Sequence, residues 1–401
     1  MSTLAPARLS ALRERLSTLD VLALTAGLWF LAKFLRYALP PLFPTFRETY
    51  AVSNTQLGLV FTGLLVGYAA MQFPSGALAD RVGTVAVITG GAVLAALGAA
   101  LLFLAPAFSV LVVAVVLVGV GTGAHKTVAI TLLSTVYADR TGGALGVMDT
   151  VGESAGVVAP ALVAVLLAAT VDWRLLFLGG AVAALALGLA FRRRVATRAP
   201  APAGDGADDD AGMRAYLAAF RAPRFLTFST LAVVAAFVIS GLVSFLPLYL
   251  SDGAGLTAET ASLLYSGFFV AAGVQPFTGD VADRLGPLRV VAALLGLATA
   301  CLAALVLGSG TLALGASVLG LGVGLHGFRP VRDAHFMTVI PDDVAGGTLG
   351  VVRTAMLVSA AAAPATVGYL SDVSTFRVAF TALVGAAAVA TLAAVALAVT
   401  R

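Results

Sequence analysis

The chain has 401 residues, 60% of them hydrophobic and 11% charged, with a mean hydropathy of +1.02. A soluble domain carries roughly 25% charged residues, so this composition excludes a protein whose surface is bathed in water on all sides. The formal charge of +4 and a pI near 9.5 do not point to nucleic acid, because the basic residues lie at the ends of apolar runs and inside them, with no basic stripe on a soluble face.

In lipid every backbone polar group needs an internal partner, which leaves helices or closed barrels. The apolar runs exceed about 18 residues and lack strand alternation, which selects helices. Residues 1–20 carry Arg8, Arg13 and Arg15 without a small-residue cleavage site before a short apolar core. They read as a cytosolic tail, with the first span an uncleaved anchor. Twelve spans are predicted, at about 21–43, 55–78, 85–105, 109–133, 144–169, 175–191, 225–249, 260–278, 290–308, 311–337, 346–369 and 378–399. Pro40, Pro41 and Pro44 are expected to end the first, and Pro160 and Pro364 to kink the fifth and eleventh.

Between the sixth and seventh spans, Arg192–Pro223 is rich in Ala, Pro, Gly, Arg and Asp. It reads as a cytosolic linker with a short amphipathic helix near Met213–Phe220. The expected domains are therefore an N-terminal bundle at 1–191, this linker at 192–223 and a C-terminal bundle at 224–401. With both termini cytosolic, the inner segments hold fifteen arginines and the outer loops only Arg47, Arg174 and Arg377. The positive-inside rule favours that orientation, in the cell membrane. The single cysteine, Cys301, rules out an intrachain disulfide.

The two halves repeat each other. Gln72-Phe73-Pro74 and Gly76-Ala77-Leu78-Ala79-Asp80-Arg81-Val82-Gly83 recur 203 positions later as Gln275-Pro276-Phe277 and Gly279-Asp280-Val281-Ala282-Asp283-Arg284-Leu285-Gly286. Gly119-x-Gly121-x-Gly123-x-His125 matches Gly320-x-Gly322-x-Gly324-x-His326, which sets His125 and His326 at equivalent positions. Gly143-x-x-Gly146 and Pro160 match Gly347-x-x-Gly350 and Pro364. Six spans plus six in the same orientation form a parallel repeat about an axis along the membrane normal.

At these residues the sequence resembles the major facilitator superfamily over nearly its whole length. The stretch Gly76 to Gly83 looks like that family's signature between its second and third helices, Gly-x-x-x-Asp-Arg-x-Gly, and its echo falls between the eighth and ninth. The resemblance implies an all-α membrane protein with twelve transmembrane helices in two pseudo-symmetric six-helix bundles. It also implies a secondary transporter working by alternating access, not an enzyme, and expected as a monomer. It makes Asp80 and Arg81, with Asp283 and Arg284, a latch on the cytosolic side. The bland reading of each copy is a tight turn with a capping Asp.

An ionisable side chain deep in a span costs about 2.5–3.5 kcal/mol on insertion scales, so each needs a partner or a purpose. They are Lys33, Arg36, Lys126, Asp149, Glu153, Arg329, Arg332, Asp333 and Arg353. Spans 3, 6, 9 and 12 have none, and in the family fold those four face lipid. Lys33 shares a helix face with Arg36, Asp149 with Glu153, and His326 with Arg329 and Asp333. Six bases against three acids leave a positive excess, and a positive, low-dielectric cavity concentrates anions. Arg36 and Arg353 are the leading substrate ligands because Arg grips carboxylate or phosphate bidentately; Lys33, Lys126 and Arg329 join them. The alternative for any of these is a salt bridge between helices, with Arg329 and Asp333 the expected internal pair.

Asp149 and Glu153 are candidates for proton coupling, since a carboxyl in a dry cavity can load and release protons near neutral pH. The alternative is permanent pairing with Lys126 or Arg353. Asp149 and Arg353 are repeat-equivalent, 204 apart, so an acid and a base are expected to face each other across the pseudo-two-fold axis. His125, His326 and Asp333 are further coupling candidates, the histidines because they titrate readily; the bland reading is hydrogen-bonded packing. No metal or cofactor is implied. The glycine triplets lie inside apolar helices rather than after a strand and read as close packing. Asp205, Asp208, Asp209 and Asp210 read as solvated linker charge. The competing functions are an exporter of drugs or metabolites in the same fold, and an intramembrane prenyltransferase. The partial antiporter-like Gly152-x-x-x-Gly156 lacks its Gly-Pro pair, and no second acidic cluster exists. The leading expectation is a proton-coupled carrier of a small organic anion, with membrane lipid as its other partner.

Overall fold

A computed structural model describes residues 4–195, 221–340 and 345–400. The first half contains α1 (Leu4–Tyr37), α2 (Phe43–Tyr50), α3 (Asn54–Ala70), α4 (Gln72–Val82), α5 (Thr84–Leu104), α6 (Phe108–Val136), α7 (Thr141–Ala168) and α8 (Arg174–Val195). The second contains α9 (Pro223–Leu248), α10 (Ala258–Val270), α11 (Gln275–Leu285), α12 (Pro287–Leu307), α13 (Thr311–Val339), α14 (Ala345–Val373) and α15 (Phe376–Val399). Among the described residues, 11 segments are long and apolar enough to cross a membrane. The twelfth span is α10 with α11, interrupted by a 3-10 stretch at Ala271–Val274. Helices α3 and α4 likewise make one span, broken only at Met71.

Span boundaries shift for identifiable reasons. Helix α1 is already helical at Leu4 rather than starting near residue 21, and it stops at Tyr37. Pro40 and Pro41, which cannot donate to a helical ladder, open a 3-10 turn before α2. Pro160 and Pro364 lie inside α7 and α14 as expected, and Pro247 and Pro330 do so inside α9 and α13. The predicted amphipathic helix near Met213–Phe220 and the linker aspartates lie outside the described residues.

The repeated signature is mostly helix. Gly76–Val82 forms the end of α4, and a single residue, Gly83, makes the turn into α5. Gly83 has φ +88° and donates its amide to Ala79 at 2.8 Å. Gly286 repeats this with φ +91° and a 2.9 Å bond to Ala282. Only glycine takes such angles without strain. Asp80 sits in the last turn of α4, and no side chain caps α5, so the capping-turn alternative does not hold here.

The repeat register of the fourth and tenth spans also needs correction. Helix pairs α4/α11, α5/α12 and α6/α13 each start 203 residues apart (72 and 275, 84 and 287, 108 and 311). A Cβ on Gly121 would strike the backbone of Gly91 and Ala95, and one on Gly324 would strike Leu294 and Ala298, again 203 apart. Gly121 is therefore equivalent to Gly324, and His125 to Phe328 rather than to His326. A glycine at every second position matches itself equally well two residues out of step, which is why the sequence pattern misled. In the corrected register Lys126 is equivalent to Arg329.

Contacts gather the described residues into two compact units, the described parts of 1–37, 66–156 and 172–206, and those of 38–65, 157–171 and 207–401. The first has a core around Trp29, Ile88, Leu132, Met148 and Phe191. The second has one around Phe228, Leu295, Phe328, Phe336 and Leu397. It also holds the start of α3 against α14. There a Cβ on Gly58 would collide with the carbonyl of Pro364, and one on Gly368 with the carbonyl of Asn54. The Asp372 carboxylate accepts from the amides of Asn54 and Thr55, at 3.1 and 2.7 Å, and from the Thr55 hydroxyl at 2.6 Å. It thereby satisfies orphan donors at the α3 N-terminus.

Candidate substrate site

In the first unit, α1, α6 and α7 bring five charged side chains together. Lys33 is buried, and its Nζ donates to Glu153 Oε1 at 2.5 Å. Lys126 pairs with Asp149 Oδ1. Asp149 and Glu153 lie one turn apart on α7, so that helix presents both carboxylates to bases from two other helices. Arg36, one turn beyond Lys33 on α1, lays its guanidinium over the Tyr68 ring with 4.3 Å from Cζ to the centroid. Its Nε is buried without a hydrogen-bond partner among the described residues. The unit thus places three bases beside two acids.

Trp29 is the hub of this cluster. It is 4% exposed, and the Nζ atoms of Lys33 and Lys126 stand 5.2 and 5.1 Å from its ring centroid. Its ring also stacks with His125, centroids 6.0 Å apart and planes 14° off parallel. Gly152, between the two carboxylates in sequence, leaves no space for a Cβ against the Cδ1–Nε1 edge of the indole. His125 is tied by Nε2 to the Thr25 carbonyl at 3.1 Å, which fits the packing alternative for that residue. Sequence reading missed both Trp29 and Tyr68. Trp29 stands four residues before Lys33, a spacing that could have flagged it; nothing in the sequence links Tyr68 to Arg36.

In the second unit Asp333 is held by Arg332, the arginine one residue before it, through Nε at 2.9 Å and an η nitrogen at 2.8 Å. Arg332 lies over the Phe328 ring, 5.5 Å from its centroid, which brings its guanidinium to the neighbouring carboxylate. Arg329 and Arg353 are near enough for their charges to act on Arg332. Arg353 is exposed and Arg329 half-buried. His326 packs against Phe268 and Phe269, with ring centroids 4.8 and 5.7 Å away. Asp80, Arg81, Asp283 and Arg284 are exposed near the ends of α4 and α11. Among the described residues no group of His, Cys, Asp and Glu is arranged to hold a metal.

Residues 25–346 match the family model of the Major Facilitator Superfamily. The chain belongs to that superfamily. It is an integral membrane protein and a transporter of this type. A probable sulfoacetate transporter of Cupriavidus necator is 28% identical over 169 residues, 42% of this chain and 39% of that protein. The match thus spans about two fifths of that curated relative's length. Among solved structures, a bacterial homologue of the human lysosomal transporter Spinster, inward-facing and unoccupied, aligns with TM-score 0.79 at 18% identity, covering 95% of this facilitator and 98% of that chain. The nucleoside transporter NupG aligns with TM-score 0.76 at 14% identity, covering 96% and 100%. Both carry the facilitator's fold.

Proposed function

We propose that this facilitator is a proton-coupled carrier of a small organic anion, working by alternating access with its termini in the cytoplasm. The observation that carries the reading is the double ion pair, Lys33 with Glu153 and Lys126 with Asp149, beside Arg36. Each lysine can hold its resident carboxylate or an incoming anion, and the two compete. A proton on Asp149 or Glu153 removes the competitor and frees the ammonium. Anion binding and protonation then favour each other, and by linkage the effect is reciprocal. That coupling is what a symporter needs. Arg36, with a buried donor to spare, supplies the fixed positive charge that grips the anion throughout.

The relative named for sulfoacetate supports the substrate class, a small molecule with anionic oxygens at both ends. The direct test is uptake of labelled sulfoacetate, succinate and acetate into proteoliposomes with an inward proton gradient. Accumulation that collapses on adding a protonophore is expected. Transport of a neutral or cationic solute instead, undiminished by Arg36→Gln, would overturn the reading.

A further inference from the structure

Of the 24 Lys and Arg residues in the chain, only Lys33 and Lys126 are lysines. They are 93 positions apart on different helices, yet both place Nζ within 5.2 Å of the centroid of one indole. Everywhere else the chain uses arginine. A lysine ammonium is a compact point charge on a flexible stem. It can meet a carboxylate in several geometries, so its pairing alone does not fix its position. An aromatic face does, because the ring quadrupole attracts a cation most strongly above the ring, and tryptophan is the strongest such ring.

We infer that Trp29 is the positioning residue for the two lysines, holding both ammonium groups in place when their carboxylate partners let go. This rests on the anion-carrier reading only for what the lysines then bind. Three features fix the indole itself. It is nearly fully buried. The His125 ring is stacked on it, and His125 is anchored to the Thr25 carbonyl. Gly152 meets its Cδ1–Nε1 edge so closely that a single methyl group would displace one or the other. Gly152 is also the residue that carries Asp149 and Glu153 past the ring, since positions 149, 152 and 153 share one face of α7. The indole thus sets the distance of the carboxylates as well as of the amines.

The scarcity of lysine makes the test direct. Protein grown with lysine labelled by carbon-13 at the ε position gives signals from only these two side chains. Ring current from Trp29 should shift both from the position of free lysine. Trp29→Leu should return both toward it, and Trp29→Phe should keep part of the shift. Gly152→Ala, which crowds the indole edge, should move both signals without touching a lysine; it serves if Trp29→Leu does not fold. Both signals indifferent to Gly152→Ala and to Trp29→Phe would overturn the inference. These spectra need no substrate, so they stand or fall apart from the anion reading. In sulfoacetate uptake, Trp29→Leu should raise the half-saturation concentration about tenfold while the maximum rate holds, and Trp29→Phe should restore most of the loss. Half-saturation unchanged in Trp29→Leu, in a protein that transports sulfoacetate, would also overturn it.

Discussion

Thr62 donates its hydroxyl to the carbonyl of Ala361 at 2.7 Å, in the turn of α14 that Pro364 interrupts. The same oxygen accepts from the Ala365 amide at 3.3 Å. A side chain of α3 therefore fills a rung of the α14 ladder, between the carbonyl and the amide four residues on that would otherwise bond directly. Inserted side chains of this kind are a recognised cause of helix bends. Thr62→Val should leave both backbone groups without that partner and lower stability by about 1–2 kcal/mol. Thr62→Ser should lose much less. Thermal unfolding in detergent measures this; equal losses in both variants would mean that the hydroxyl is dispensable.

Arg36 is expected to bind the anion directly. Arg36→Gln should weaken binding by about 1.5–3 kcal/mol, the range for a charge-assisted hydrogen bond. That corresponds to roughly a ten- to hundredfold rise in Kd. Calorimetric titration with sulfoacetate reads the change. An unchanged Kd in Arg36→Gln would remove that residue from the site.

The double ion pair predicts a definite pH dependence. Protonation of Asp149 or Glu153 frees an ammonium for the anion, so sulfoacetate should bind more tightly as pH falls. With one proton linked, the limiting slope is about tenfold in Kd per pH unit. Asp149→Asn or Glu153→Gln removes the competing charge permanently. The variant of the coupling residue should bind with a flatter pH profile and fail to accumulate substrate under a proton gradient. Accumulation intact in both variants would assign coupling elsewhere.

The close helix contacts predict a stability effect that repeats in both halves. Gly121→Ala and Gly324→Ala each force a methyl group against the backbone of a neighbouring helix. Overpacking of this kind costs about 1–3 kcal/mol. Gly90→Ala and Gly296→Ala, on the same partner helices, have space and should be near neutral. Melting temperatures of the four variants would check the contrast.

The spans were legible because hydropathy and helix length are properties of contiguous sequence. So was the duplication at 203 residues, which the helix starts repeat. Three things were not legible, for different reasons. The Gly-x-Gly pattern has a period of two, so it could not fix its own register and set His326 opposite His125. Asp333 has arginines both one and four residues before it, and spacing alone could not show that Arg332 would lie over Phe328 and take the carboxylate. The convergence of Lys33 and Lys126 on Trp29, and of Thr62 and Asp372 on distant backbone, depends on tertiary packing that no local pattern encodes.

The corrected register has a consequence for how a duplicated scaffold divides its work. Lys126 and Arg329 stand at equivalent places in the two copies, so that position kept its sign after duplication. Asp149 and Arg353 also stand at equivalent places, 204 residues apart, and there the sign is reversed. Glu153 falls opposite Leu357 by the same offset. At these two positions the second copy carries a base and an apolar side chain where the first carries two acids. Geometrically the two copies match; chemically these positions do not, since one copy holds Asp149 and Glu153 there and the other Arg353 and Leu357. Exchanging Asp149 and Arg353 between the copies would ask whether that asymmetry belongs to the helices themselves or only to the residues they carry.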